Sequence, residues 1–204
     1  MSAERYRIPA RIHRAETVER RSRFLTTLAH APDAAAAHDF IEHVKARYPD
    51  ATHHCWAFVA GPPGSTRSVG MSDAGEPAGT AGRPMLTVLL HSEVGEIVAV
   101  SSRWFGGTKL GTGGLARAYA DSVKQALAGL HTEEKVRRVT VEIVVGYAAV
   151  DSLQRRLDEL DARTENESYG ADVRYTVALP ESRVPELEEV VAGLTAGAGR
   201  VRRL

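Results

Sequence analysis

The chain has 204 residues, with 26 basic and 26 acidic side chains, zero formal net charge and 43% hydrophobic residues. Such a composition builds one large or two small domains around a buried core, and it excludes the global basic surplus of a nonspecific nucleic-acid binder. No apolar run approaches the ~18–20 residues of a membrane helix, no apolar stretch follows the basic residues of the Met1–Arg14 segment as a secretory signal requires, and the single cysteine, Cys55, excludes an intrachain disulfide framework and fits a reducing, cytoplasmic setting.

Arginines crowd the start (Arg5, Arg7, Arg11, Arg14, Arg20, Arg21, Arg23) and the end (Arg200, Arg202, Arg203). They form either solvated edges and a loose tail or a local basic surface for RNA or an acidic partner. Arg11 to Val18 and Ser22 to Ala29 predict two strands around the charged turn Glu19-Arg20-Arg21. Ala31 to Tyr48 predicts a helix: Asp33 suits its N-cap, and Ala37, Phe40, Ile41, Val44 and Tyr48 recur at helical spacing until Pro49. Thr52 to Ala60 predicts a strand, and Thr66 to Ser72 its hairpin partner across Gly61-Pro62-Pro63-Gly64. A second helix starts near Thr80 and runs to His91, with Pro84 in the first turn, where a missing N–H is tolerated. Glu96 to Trp104 predicts a central buried strand, and Thr112 to Leu130 a third helix.

His131 to Lys135 is a polar connection, and it sets a boundary near Glu134 between segments 1–134 and 135–204. Beyond it, the spacing predicts a strand over Val136 to Val145 and a helix marked by Val150, Leu153, Leu157 and Leu160. A hairpin across Gly170, a helix marked by Val184, Leu187, Val190, Val191 and Leu194, and a closing strand near Val201 follow. That order suits a ferredoxin-like α/β sandwich. The fold class is therefore α+β.

Twelve of the 18 glycines fall between Gly61 and Gly114, a concentration that favours turns and close backbone approach over regular structure. They gather in two strand-to-helix loops. In the first, Asp73-Ala74-Gly75-Glu76-Pro77-Ala78-Gly79-Thr80-Ala81-Gly82-Arg83-Pro84, two carboxylates lie close to Thr80 and Arg83. They either bind a metal, act as acid and base or accept hydrogen bonds from a partner, or they satisfy the loop's own N–H groups and neutralise Arg83. In the second, Arg103-Trp104-Phe105-Gly106-Gly107-Thr108-Lys109-Leu110-Gly111-Thr112-Gly113-Gly114, a buried strand joins a helix N-terminus that Thr112 can cap, with Arg117 beyond. Exposed N–H groups there attract anions, and Arg103 and Lys109 add charge. Phe105 is placed to stack on a base or to pack under the loop. The segment lacks the Gly-Lys-Ser/Thr ending of a Walker loop and the third spaced glycine of a dinucleotide fingerprint. His53 and His54 point to opposite faces of a strand, and His53 with Cys55 gives too few ligands for zinc. His53 and Cys55 are therefore read as structural, with no metal and no cofactor.

Taken together, Ala51-Thr52-His53-His54-Cys55-Trp56-Ala57, the Asp73 to Pro84 loop, Arg103-Trp104-Phe105-Gly106-Gly107 and Lys109 to Tyr119 resemble the YigZ/IMPACT family. The resemblance implies an N-terminal domain with the βαβ fold of the second domain of a small-subunit ribosomal protein, and a C-terminal domain similar to the fifth domain of elongation factor G. It also implies translational regulation, and for the bacterial two-domain form a nucleic-acid or ribosome-linked role. The sequence departs from the family pattern at Ala74, where a second acid is common, at Trp104, where Tyr is common, and at Ser101-Ser102, where larger residues are common. The first change removes a carboxylate that a metal role for the acidic loop needs.

Two functions stay open at this stage. One is a noncatalytic, translation-associated protein that binds RNA, the ribosome or a translation-related protein. In that reading the binding residues are Asp73, Glu76, Thr80, Arg83, Arg103, Phe105, Gly106, Gly107, Lys109, Gly113, Gly114 and Arg117. The other is an enzyme acting on a phosphorylated small molecule, held by the Gly106–Gly114 loop with Asp73 or Glu76 as base. Both readings expect the acidic and basic loops to face each other across one mixed-charge surface patch; a third takes the block as packing only, its glycines letting helix and sheet approach closely while Arg83 and Arg103 neutralise Asp73 and Glu76.

Overall fold

The computed structural model describes residues 5–204, so Met1–Glu4, which open the segment read for a signal, lie outside it. The protein is α+β and divides into two compact units, one of residues 6–135 and one of residues 136–204 with Arg5. No helix among the described residues is long and apolar enough to cross a membrane.

The first unit is organised by strands β1 (Arg5–Pro9), β2 (His13–Glu19), β3 (Ser22–His30), β4 (His53–Val59), β5 (Val69–Ser72), β6 (Ile97–Trp104) and β7 (Thr132–Val136). Its helices are α1 (Ala34–Arg47), α2 (Gly82–Leu90) and α3 (Thr112–Ala128). Five strands form one sheet in the order β2-β3-β6-β4-β5, antiparallel at every pairing. The centre of that sheet is β6, buried along nearly its whole length as its Ile97-Val98-Ala99-Val100 run predicts.

Alternation along β6 feeds two cores. Ile97 and Ala99 join Phe24, Leu28, Met85, Leu89, Tyr119 and Val123 under α2 and α3. Val98 and Val100 join Ile41, Val44 and Phe58 under α1. The α1 start is capped as the sequence predicts, with the Asp33 carboxylate accepting from the Ala36 N–H at 2.8 Å. The turn between β2 and β3 holds Arg20 at φ 44° and Arg21 at φ 68°, a left-handed pair that closes a two-residue hairpin without glycine.

Two differences from the sequence reading stand out. The basic start and the polar connection are not featureless: β1 and β7 pair as a two-stranded ribbon. Glu96 anchors it. This carboxylate is 5% exposed and accepts from Tyr6 Oη at 2.6 Å, Lys135 Nζ at 2.7 Å and His30 Nε2 at 2.7 Å. Thr112, expected to cap α3, is instead inside the helix; Gly111, at φ 72°, occupies the cap position, and no side chain bonds the first N–H groups.

The second unit follows the order β8 (Arg138–Val145), α4 (Val150–Glu159), β9 (Arg163–Tyr169), β10 (Val173–Pro180), α5 (Val184–Leu194) and β11 (Arg200–Arg203). Its sheet runs β11-β8-β10-β9, all antiparallel, which is the ferredoxin-like arrangement. Val141, Ile143, Val145, Val173, Tyr175, Val177 and Leu179 face Leu153, Leu157, Leu187 and Val191 of the helices. Arg200–Arg203 is a paired edge strand and not a loose tail.

Candidate functional site

The acidic loop is wound around Asp73. Its carboxylate accepts from the backbone N–H groups of Gly79 at 2.8 Å, Ala81 at 2.9 Å and Gly82 at 2.8 Å. Burial alone would raise its pKa; those three donors, with Arg83 nearby, outweigh burial and hold it below the ordinary carboxylate range. Asp73 thereby caps the start of α2, where Gly82 is required because a Cβ there would stand 2.9 Å from the Ser72 backbone. Thr80 is 5% exposed and donates to the Pro77 carbonyl at 2.6 Å. Arg83 lies on the surface.

The two loops do meet, but inside the protein. Arg103 Nη1 donates to Glu76 Oε1 at 2.5 Å, and the two side chains are only 6% and 3% exposed. Tyr119 Oη donates to the same carboxylate oxygen at 2.8 Å. Arg103 Nη2 donates to Ser22 Oγ at 3.2 Å, and Ser22 Oγ accepts from the Gly106 N–H at 3.2 Å. The guanidinium lies between two rings, 5.5 Å from Phe24 and 5.6 Å from Phe105. Arg103 and Glu76 are thus withdrawn from the surface on which the sequence reading placed them. The strand phase explains why: Arg103 follows Ile97, Ala99 and Ser101 onto the α2/α3 face.

His53 and Cys55 share that face. The His53 Nδ1–H donates to the Ala74 carbonyl at 2.9 Å and Cys55 Sγ to the Asp73 carbonyl at 2.9 Å. Burial pushes the Cys55 thiol up to about 12. Burial, together with Cys55 and Glu76, raises Tyr119 far above the ordinary tyrosine range. His54 turns to the α1 face and meets Ser102 Oγ at 3.0 Å. The small residue at 102 accommodates that imidazole, while Ser101 joins Thr26 and Ser122 in a buried hydroxyl chain with links of 3.2 and 3.0 Å. Trp104 donates to Asp50 at 2.8 Å under the guanidinium of Arg23. No group of three or more potential metal-binding His, Cys, Asp or Glu residues exists among the described residues.

Outside this buried knot, the basic loop forms a rim. Gly106 packs backbone on backbone: a Cβ there would stand 2.0 Å from the Arg21 carbonyl carbon. Gly107 needs its freedom for φ 84°. Gly113 needs neither space nor unusual φ, since a Cβ there would meet nothing within 4 Å; its effect is to leave the first turn of α3 bare. A groove of about 210 Å³, lined by Glu19, Arg20, Leu110, Gly114, Arg117 and Asp121 among others, runs between the β2–β3 hairpin and α3. Lys109 and Arg117 are exposed, and neither has a carboxylate partner among the described residues. Phe105 is 49% exposed, with Arg103 against its ring. Sequence reasoning missed Ser22 and the turn arginines Arg20 and Arg21 as parts of this rim. The positive-φ turn brings them to the loop, and its charged residues carry no glycine to signal it.

Residues 20–127 match the Impact N-terminal domain, and residues 143–198 match a domain of unknown function, DUF1949. The chain is 44% identical over 179 residues to the IMPACT family member YigZ of Escherichia coli (strain K12), covering 88% of each chain. It is 32% identical over 187 residues to the IMPACT family member YvyE of Bacillus subtilis (strain 168), covering 92% of this chain and 85% of that one. A solved structure described as the crystal structure of an hypothetical protein shares 41% identity and a TM-score of 0.74, with 98% of each chain covered. With the Impact domain spanning the loops that build the knot and rim, the chain belongs to the IMPACT family.

Proposed function

We propose that the protein is a noncatalytic, translation-associated factor whose N-terminal unit offers the Lys109–Arg117 rim to RNA on or near the ribosome. Family membership supports the link to translational regulation. The observation that carries the reading is the division of charge at the two loops. Every acidic group there is engaged internally, Asp73 by backbone N–H groups and Glu76 by Arg103 and Tyr119, whereas Lys109 and Arg117 have no carboxylate partner. A phosphate-handling enzyme on this loop would need Asp73 or Glu76 free as a base, within hydrogen-bond reach of substrate. Exposed cations beside bare helix N–H groups suit phosphate oxygens instead.

Cosedimentation with ribosomes tests the reading. Binding should weaken as salt rises, and the Lys109→Ala/Arg117→Ala variant should lose most of it while keeping its thermal midpoint. Arg103 is unsuitable for this test, because its removal disturbs the interior. Undiminished cosedimentation of the Lys109/Arg117 variant would sink the assignment.

A further inference from the structure

The sheet of the second unit has one face covered by α4 and α5 and one open face. On the open face Arg174 of β10 and Arg200 of β11 both stand opposite Val144 of β8, one on either side. Their Cα atoms are therefore two strand spacings apart, about 10 Å. In the next row Arg202 stands opposite Glu142, whose carboxylate lies 3.2 Å from Arg202 and 3.8 Å from Arg174. Arg200 has no carboxylate partner among the described residues, and Asp172 stands at the rim. Together these residues line a groove of about 560 Å³. Glu142 is shared between Arg174 and Arg202, so the three arginines leave the face with positive charge that an anion laid across it would neutralise.

The rest of the face decides what that anion is. Thr140, Thr176 and Ala178 flank the arginines on β8 and β10, and Asn166 and Ser168 continue the rows on β9. Val144, half-buried between the two arginines, is the one aliphatic side chain larger than alanine in these rows, none of them is an aromatic anchor of a protein–protein interface, and none offers a ring on which a base could stack. Guanidinium groups over a flat, hydroxyl-rich surface suit phosphodiester oxygens, which arginine binds bidentately.

We infer that the open face of the C-terminal sheet is a second, sequence-independent RNA-backbone site, centred on Arg174, Arg200 and Arg202 and tuned by Glu142. It involves residues other than the N-terminal rim and goes beyond the reading proposed for it.

The test uses the full chain and a fluorescent single-stranded uridine oligonucleotide, titrated at several salt concentrations. Each contact to a single strand contributes about 0.7 to the slope of log affinity against log salt. Arg174→Gln/Arg200→Gln should therefore bind more weakly, with a slope shallower by about 1.4. Arg174→Lys/Arg200→Lys should keep the slope. Glu142→Gln should bind more tightly than the parent, a gain that a misfolded protein would not show. An unchanged slope in the Gln variant, or no gain in Glu142→Gln, overturns the inference, even where Lys109→Ala/Arg117→Ala weakens binding and sustains the N-terminal reading. Loss only in Arg174→Gln/Arg200→Gln sustains this site and removes the N-terminal one. Tighter binding of polyglutamate than of RNA, with the same arginine dependence, also overturns it and assigns the face to an acidic protein segment.

Discussion

At the scale of single residues, the buried ion pair of Glu76 and Arg103 is the feature on which the site depends. Removing one partner leaves the other charge buried and unpaired, which costs about 3–5 kcal/mol. Glu76→Ala should therefore lower the urea midpoint far more than Arg83→Ala, which removes a surface charge; equal effects in equilibrium unfolding would contradict the buried role. Cys55, with its thiol raised to about 12 by burial, should resist alkylation at neutral pH in the folded protein and react fully in denaturant, as mass spectrometry of iodoacetamide-treated samples would report. The pair itself was hard to read in the sequence. The two residues are 27 positions apart, and nothing local links a loop glutamate to a strand arginine. The phase of the strand does carry the signal: counting in twos from Ile97 puts Arg103 on a core face. Loop composition outweighed that phase in the two functional readings, which took arginine for a surface group; only the packing reading set it against the loop acids.

At the scale of elements, the glycines separate structural from functional need. Gly106→Ala forces a Cβ into the Arg21 backbone and should destabilise by about 1–3 kcal/mol or more through overpacking. Gly113→Ala meets open space in a helical turn, so it should leave the thermal midpoint unchanged or raise stability by up to about 1 kcal/mol, while weakening the RNA contact proposed for the rim. Parallel melting and anisotropy measurements would expose a purely structural Gly113, for which affinity would not fall. Long elements with clear periodicity were legible: α1 with its Asp33 cap, the central β6, and the βαββαβ order of the second unit. The ribbon strands β1 and β7 were not. Each is five residues long, and a two-stranded ribbon gives charged side chains two solvated edges, so Arg5-Tyr6-Arg7 and Glu133-Glu134-Lys135 resemble loop composition. The alternation of Tyr6 and Ile8 with arginines was the available clue. The α3 cap was misassigned because Gly111 supplies the backbone turn that a threonine hydroxyl was expected to replace.

At the scale of the whole molecule, two units with separate cores predict unfolding that need not be a single cooperative step. In the first unit, Glu96 sets a pH dependence. Burial would raise its carboxyl, but the bonds from Lys135, Tyr6 and His30 outweigh burial and hold it below its ordinary value. A lowered folded pKa stabilises fully above the unfolded value of about 4.3 and is lost as pH falls through the folded one. Urea midpoints should therefore drop between neutral and acidic pH by more in the parent than in Glu96→Gln; identical pH profiles would refute the contribution. The same ribbon orders events during synthesis. Because β1 has its partner strand in β7, the first strand of the unit has only its Arg7–Val94 bridge until residues 132–136 have left the exit tunnel. Until then Glu96 lacks Lys135. A nascent chain can assemble the five-stranded sheet once α3 emerges, but the clasp that secures it closes last, at the moment the first unit is complete.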